Sequence, residues 1–395
     1  MFVRKACAMP HPADLAESPT PDRFLALDSW RGIAALGVAY YHIRGIYWWL
    51  DGPFYIRLDF AVDFFFVLSG FVIAAAYGDK LRQGFGIGKF MFLRYMRLWP
   101  LHVFVIGLLV AMELVFLALG SFEGLAGREP FGFRREWWTL PATLALVQDY
   151  LHPGLRPWNS ASWSISIEVG LYLMAALLWR GFGRWGTGVA LAIALAAGVA
   201  LLGAEERASM DILRGLAGFG LGMALYELWL RVRGFALTAA WASLAEIALV
   251  VLMVLTIIYL PVRGVADLVF AALILAFAFE RGVLSRLLLM PGFFWLGTLS
   301  YSIYLVHGFV IGRSYDALIV LQSLTGWELV SQRGRVAMLV MHPALGALAM
   351  AAMLAGSVLA AYFTWRWIEE PARRWSKRKA AAWGAPEAER RAPWK

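Results

Sequence analysis

Arg31 and His42 lie eleven residues apart in one apolar stretch, Arg31-Gly-Ile-Ala-Ala-Leu-Gly-Val-Ala-Tyr-Tyr-His42. At about 100° per residue they share a helix face to within ~20° and stand ~16 Å apart along the axis. Ionisable groups inside a membrane helix carry a free-energy cost, so their default reading is functional. Arginine is a fixed cation whose fork suits phosphate or carboxylate. Histidine exchanges protons near neutral pH. Asp28, one turn before Arg31, is spaced to pair with it. The structural alternative is that Arg31 snorkels to the headgroups while His42 hydrogen-bonds a neighbouring helix.

Further blocks hold residues of the same kind. Val62-Asp63-Phe-Phe-Phe-Val-Leu-Ser69-Gly70-Phe71 places an acid at a membrane boundary, within reach of a cation, and a small pair that permits close helix approach. Arg94 and Arg97, in Arg94-Tyr-Met-Arg97-Leu-Trp-Pro100, share a face of a short juxtamembrane helix, with Pro100 restricting the turn that follows. Paired arginines suit phosphate, but on charge alone an ordinary positive-inside anchor is the better reading. In Asn159-Ser-Ala-Ser-Trp163-Ser164-Ile-Ser-Ile-Glu168, continuing to Tyr172, the residues Ser164, Glu168 and Tyr172 recur every four positions on one face. A membrane carboxylate must be paired, protonated or hydrated. Tyr301-Ser-Ile-Tyr304-Leu-Val-His307 holds a second intramembrane histidine, and Trp365-Arg-Trp-Ile-Glu369-Glu370-Pro371 reads as a structural interface belt with a helix stop at Pro371.

The elements that must position these groups follow from composition. The chain has 395 residues, 61% of them hydrophobic, and a mean hydropathy of +0.65. Runs of ~20 apolar residues recur along it. The expected fold class is all-α: a polytopic transmembrane helical bundle of about ten spans, near 30–50, 59–77, 98–120, 163–180, 187–204, 212–230, 238–260, 265–280, 295–313 and 342–367. The apolar piece 138–150, interrupted by Pro141 and closed by Gln148 and Asp149, is expected to be re-entrant or interfacial. With both termini cytoplasmic, most Lys and Arg fall inside, as the positive-inside rule requires. The expected divisions are a polar arm over 1–23, a membrane domain over 24–372 and a basic cytoplasmic tail over 373–395.

The net charge of +9 fits topology and anionic lipid rather than nucleic acid, because the cations sit in short loops and the tail. Cys7 is the only cysteine, so neither an intrachain disulfide nor a cysteine-based zinc site can form, and no metal is expected. The first 22 residues lack the apolar core of a cleavable signal, which leaves the first span as the expected anchor. No internal repeat is visible, and the end of the tail is expected to fray into disorder.

In their order, these blocks resemble the acyltransferase 3 family of integral membrane acyltransferases. The match runs through Leu27-Asp28-Ser-Trp-Arg31 to His42, the Asp63 to Phe71 block, Arg94 to Pro100, Trp163 to Glu168, Ser300 to His307 and Glu370-Pro371, over roughly residues 24–375. Two departures stand out. Val169 replaces the second acid that often follows the glutamate, and no hydrolase-like stretch follows the membrane domain in this sequence. Transfer is therefore expected within the membrane domain or with a separate protein.

The resemblance implies O-acyl transfer from an acyl-CoA, usually acetyl-CoA, to a hydroxyl of a cell-surface polysaccharide, lipid-linked glycan or related acceptor, in the bacterial inner membrane. Acyl transfer needs a base, a positioned donor and an oxyanion stabiliser. His42 is the expected base. Arg94 and Arg97, with Arg31, are the expected donor-phosphate site, and Glu168 is expected to orient His42 or to pair with Arg31. Asp28, Asp63, Ser69, Trp163, Ser164, Tyr172 and His307 complete the candidate set. The rival class is a transporter or flippase, since buried Arg, His and Glu also line substrate paths. The absence of clear repeats argues against it.

Overall fold

The computed structural model describes residues 23–50, 52–118, 129–203, 207–235, 237–334 and 336–383. Most of the polar arm, including Cys7, and the end of the basic tail lie outside the described residues.

In lipid every backbone N–H and C=O must be satisfied internally, and apolar runs meet this demand as helices. Each of the ten expected stretches contains a helix, the first ending at Tyr41 instead of running to 50: α1 (Leu25–Tyr41), α2 (Ala61–Ile73), α4 (Ile87–Ala118), α7 (Trp163–Phe182), α8 (Gly186–Leu201), α9 (Arg207–Val232), α10 (Ala239–Tyr259), α11 (Arg263–Phe277), α13 (Pro291–Thr325) and α14 (Pro343–Thr364). Short helices join them: α3 (Asp79–Arg82), α5 (Leu140–Leu144), α6 (Gln148–Leu151), α12 (Val283–Leu288) and α15 (Glu370–Ala381). Among the described residues, six continuous helical stretches are long and apolar enough to cross a membrane. The protein is an all-α membrane bundle with one addition, an antiparallel hairpin of β1 (Val330–Arg333) and β2 (Val336–Leu339) that pairs Val330 with Leu339.

Several boundaries differ from expectation. The α4 helix begins at Ile87, well before position 98, and carries Pro100 in its interior. Arg94 and Arg97 therefore belong to a long helix rather than a short juxtamembrane one. The chain does not stop at Pro371. A π turn over Trp365–Glu369 leads directly into α15, where the proline occupies the first turn. Proline is tolerated there because the π turn just before it widens the helix where the proline ring and its missing N–H would otherwise disturb the preceding turn.

The piece 138–150 folds back on itself through the short helices α5 and α6 rather than forming one continuous helix. Near its start Thr139 accepts from the Trp158 indole at 3.0 Å, and its tip reaches Tyr95 and Trp99 of α4, whose side chains donate to the carbonyls of Ala145 at 3.2 Å and Leu144 at 2.9 Å. It then returns along α7, where Ser162 accepts from Gln148 at 3.1 Å. Positive φ at Leu146 (56°) makes the reversal.

The α1 and α13 helices run side by side in the same direction, since Gly32 meets Gly297 at one end and His42 meets His307 at the other. Their backbones touch: a Cβ on Gly32 would stand 2.5 Å from the carbonyl carbon of Leu296. Gly70 of α2 lies as close to the backbone of α9 at Phe219. The small pair Ser69-Gly70 thus serves the close approach read from the sequence. Two aromatic-rich cores, around Phe66, Trp179 and Tyr172 and around Phe64, Phe71 and Phe277, fix the helix rotations.

Candidate active site

A cavity of about 120 Å³ opens between α1, α2, α4, α7 and α13. Its wall carries Arg31, Arg94, Arg97, Ser69, Ser164, Glu168, Tyr172, Ser300, Tyr301 and Tyr304. Each polar group arrives by helix periodicity. Arg94 and Arg97 are three apart on α4, and Ser164, Glu168 and Tyr172 form one stripe of α7.

Arg31 is held from two sides. Its Nε donates to Ser300 Oγ at 2.9 Å and its Nη2 to the Gly297 carbonyl at 3.4 Å. The expected partner Asp28 pairs with the same Nη2 at 3.2 Å. Arg94 donates to the Tyr172 hydroxyl at 3.0 Å, with its guanidinium 4.8 Å from that ring centre. Tyr172 and Ser69 both donate to Glu168 Oε1. Glu168 thus anchors a chain of hydroxyls that ends on Arg94, and it contacts neither His42 nor Arg31 as expected. Its Oε1 is taken by Ser69 of α2 and by Tyr172, which in turn meets Arg94 of α4. Arg97 faces the cavity and, among the described residues, makes no hydrogen bond, with the Glu369 carboxylate acting on it as a counter-charge. The lining carries three guanidinium groups and one carboxylate, with Asp28 on Arg31 and Glu369 acting on Arg97 as further counter-charges, so it is the guanidinium donors rather than a net charge that suit an anion with several oxygens.

The histidines stand beyond the cavity wall. His42 caps α1, and its Nδ1 lies 2.8 Å from the Val38 carbonyl and 3.3 Å from His307 Nε2. The ring centres are 4.8 Å apart. Tyr304 separates this pair from the cavity, with its hydroxyl 2.7 Å from Ser164 Oγ and its ring centre 6.1 Å from that of His307. Arg31 and His42 therefore do not touch and flank a common wall.

Asp63 and Trp163 belong elsewhere. Asp63 is fully buried and takes Arg214 at 2.8 Å and Arg263 at 2.5 Å. The Trp163 ring lies between the guanidinium groups of Arg156 at 4.4 Å and Arg214 at 4.8 Å. Arg214 also pairs with Asp211, and Arg156 with the same acid. This ion-pair layer ties α2 to α9 and α11. Sequence reasoning did not select Arg156, Arg214 or Arg263, although an arginine within the span 212–230 carries the same signal as Arg31. Tyr301, Tyr304 and Ser300 were also passed over, within a block that was singled out for His307.

The fold and site define an apolar helical membrane bundle with an arginine-lined internal cavity and a histidine pair one side chain away from it. Residues 24–365 match the acyltransferase domain family. The chain belongs to that family, the one its ordered blocks resemble. It is 40% identical over 107 residues to Protein 2 in picA locus of Rhizobium radiobacter, covering 27% of this chain and 53% of the relative. It is 27% identical over 183 residues to the peptidoglycan O-acetyltransferase OatA of Listeria monocytogenes, covering 45% of this chain and 28% of the relative. The chain thus spans about half the length of one curated relative and about a quarter of the other. No solved structure matches.

Proposed function

We propose that this protein is a membrane O-acyltransferase that moves an acyl group, acetyl in the first instance, from cytoplasmic acyl-CoA to a hydroxyl of a cell-surface polysaccharide or lipid-linked glycan, in the bacterial inner membrane. Membership of the acyltransferase family and the name of the Listeria relative support the reaction class. The observation that carries the reading is the arginine-lined cavity on one side of Tyr304 and the histidine pair on the other.

The orientation proposed is ten crossings, with both termini in the cytoplasm. Contacts support it. Arg31, Arg97 and Glu369 lie at one end, where α15 packs on α4. His42, Arg44 and the β-hairpin lie at the other, where Leu339 N–H donates to the Arg44 carbonyl at 2.9 Å.

The division of labour follows from placement. Arg31, Arg94 and Arg97 hold the anionic part of the donor at the cytoplasmic end. The ~16 Å of helix from Arg31 to His42 then spans the distance from the phosphates to the reacting carbonyl. His42 takes the acceptor's hydroxyl proton as that oxygen bonds to the thioester carbonyl carbon. The hydroxyls of Ser164 and Tyr304, at the wall between the two halves, donate to the oxyanion. Breaking the C–S bond releases the ester, and the sulfur leaves as a thiol with the proton from His42.

The test is purified His42→Ala protein. It should bind acetyl-CoA as the wild type does and lose transfer by about a hundredfold or more, the scale of a general base. Transfer at the wild-type rate would remove His42 from the reaction.

A further inference from the structure

Two imidazoles in contact are not required by a one-base mechanism, and the second sits in a position with no solvent access. His307 on α13 is 0% exposed. Its Nδ1 lies 3.1 Å from the Ile303 carbonyl. A carbonyl only accepts, so this nitrogen carries a hydrogen, and in the neutral ring Nε2 keeps its lone pair. That lone pair faces His42 Nδ1 at 3.3 Å. His42 Nδ1 in turn lies 2.8 Å from the Val38 carbonyl, so it too must carry a hydrogen. One N–H on His42 is therefore shared between a carbonyl and an imidazole. His42 Nε2 is left as the unprotonated nitrogen, and among the described residues nothing hydrogen-bonds it.

We propose that His307 is a positioning residue that accepts the Nδ1 hydrogen of His42, fixing its tautomer and ring direction so that Nε2 is the atom that takes the acceptor's proton. Among the described residues no carboxylate hydrogen-bonds either ring. The role that an acid plays behind a catalytic histidine in the serine hydrolase triad falls here to a buried neutral imidazole. When Nε2 gains a proton, the Nδ1–H becomes a charged donor, and Val38 O and His307 Nε2 share it. The hydroxyl proton thus goes to His42 Nε2 and from there to the leaving sulfur. It does not pass through His307, whose own Nδ1 hydrogen stays donated to the Ile303 carbonyl. The inference rests on His42 being the base, but its geometric core does not.

The experiment uses the full chain in lipid nanodiscs, with its six histidines labelled with ¹⁵N. Two-bond proton–nitrogen spectra distinguish the two tautomers, and His42→Gln and His307→Gln spectra assign the signals. Wild-type His42 should be the Nδ1–H tautomer. In His307→Phe the His42 signals should shift toward an average of both tautomers. In His307→Gln, whose amide oxygen can accept the same hydrogen, they should stay. With acetyl-CoA as donor, kcat should fall about tenfold or more in His307→Phe with KM for the donor within about twofold, and His307→Gln should recover most of it. A purely structural role would lower kcat equally in both variants, or lower only the yield of monodisperse protein. A wild-type Nε2–H tautomer, an unchanged His42 tautomer in His307→Phe, or equal losses in the Phe and Gln variants would each overturn the proposal. An active His42→Ala enzyme would instead sink the base assignment, and the tautomer measurement would still decide whether His307 holds His42.

Discussion

At the scale of single residues, the three cavity arginines are not equivalent. Arg31 is tied down by Ser300, Gly297 and Asp28, and Arg94 by Tyr172, which Glu168 holds in place. Arg97 makes no hydrogen bond among the described residues, with Glu369 as its counter-charge, so its N–H donors are the ones open to a ligand. A hydrogen bond to a charged group contributes about 1.5–3 kcal/mol, or roughly ten- to a hundredfold in affinity. Arg97→Ala should therefore weaken acetyl-CoA binding by that factor. Tyr172→Phe, which leaves Arg94 in place but removes its tether, should cost no more than about fivefold. Calorimetric titration in detergent measures both, and the reverse ranking would mean that Arg94 alone holds the anion. Arg31, His42, Arg94, Arg97 and Glu168 were legible because charge inside an apolar run is conspicuous. Their partners were not. Which neighbour Glu168 faces depends on the rotation of α7 against α2 and α4, and that is set by packing of Tyr172, Phe90 and Phe219 far along the chain.

At the scale of elements, the site depends on how closely α1 and α13 approach. Arg31 reaches Ser300 and His42 reaches His307 only because Gly32 and Gly297 let the two backbones touch. A side chain there must push the helices apart, and overpacking costs about 1–3 kcal/mol or more. Gly297→Leu should lower the thermal midpoint in detergent and abolish transfer together. Gly292→Ala, on the same helix but facing open space, should leave both near wild type. Equal behaviour of the two variants would show that the approach is unimportant. Helix existence was readable from apolar length, as all ten stretches bear out. Their ends were less so. Lys89, Arg94 and Arg97 lower the hydropathy of the first turns of α4, so the apolar window opens late while backbone hydrogen bonding starts at Ile87. The β-hairpin at 330–339 left no mark in that reading, which scored apolar length rather than alternation.

At the scale of the whole molecule, the proposed chemistry has a direction. The donor cavity lies toward the end that holds Arg31, Arg97 and Glu369, while the histidine pair lies toward the β-hairpin. An acyl group moved between them would pass the Ser164–Tyr304 wall and change membrane sides, provided that the two ends face different compartments. Cysteine labelling decides this. In a Cys7→Ser background, Gln332→Cys places a thiol on exposed β1, and Lys379→Cys places one on the exposed face of α15. Both positions are far from the cavity and should leave transfer intact. In intact cells a membrane-impermeant maleimide should label Gln332→Cys, and Lys379→Cys should react only after permeabilisation. Labelling of both from outside would place the hairpin and the basic helix in one compartment, so that ten crossings could not be right. Labelling of Lys379→Cys alone would invert the bundle. The arginine cavity would then face away from cytoplasmic acyl-CoA, and the donor would have to be another activated acyl anion on the outer side.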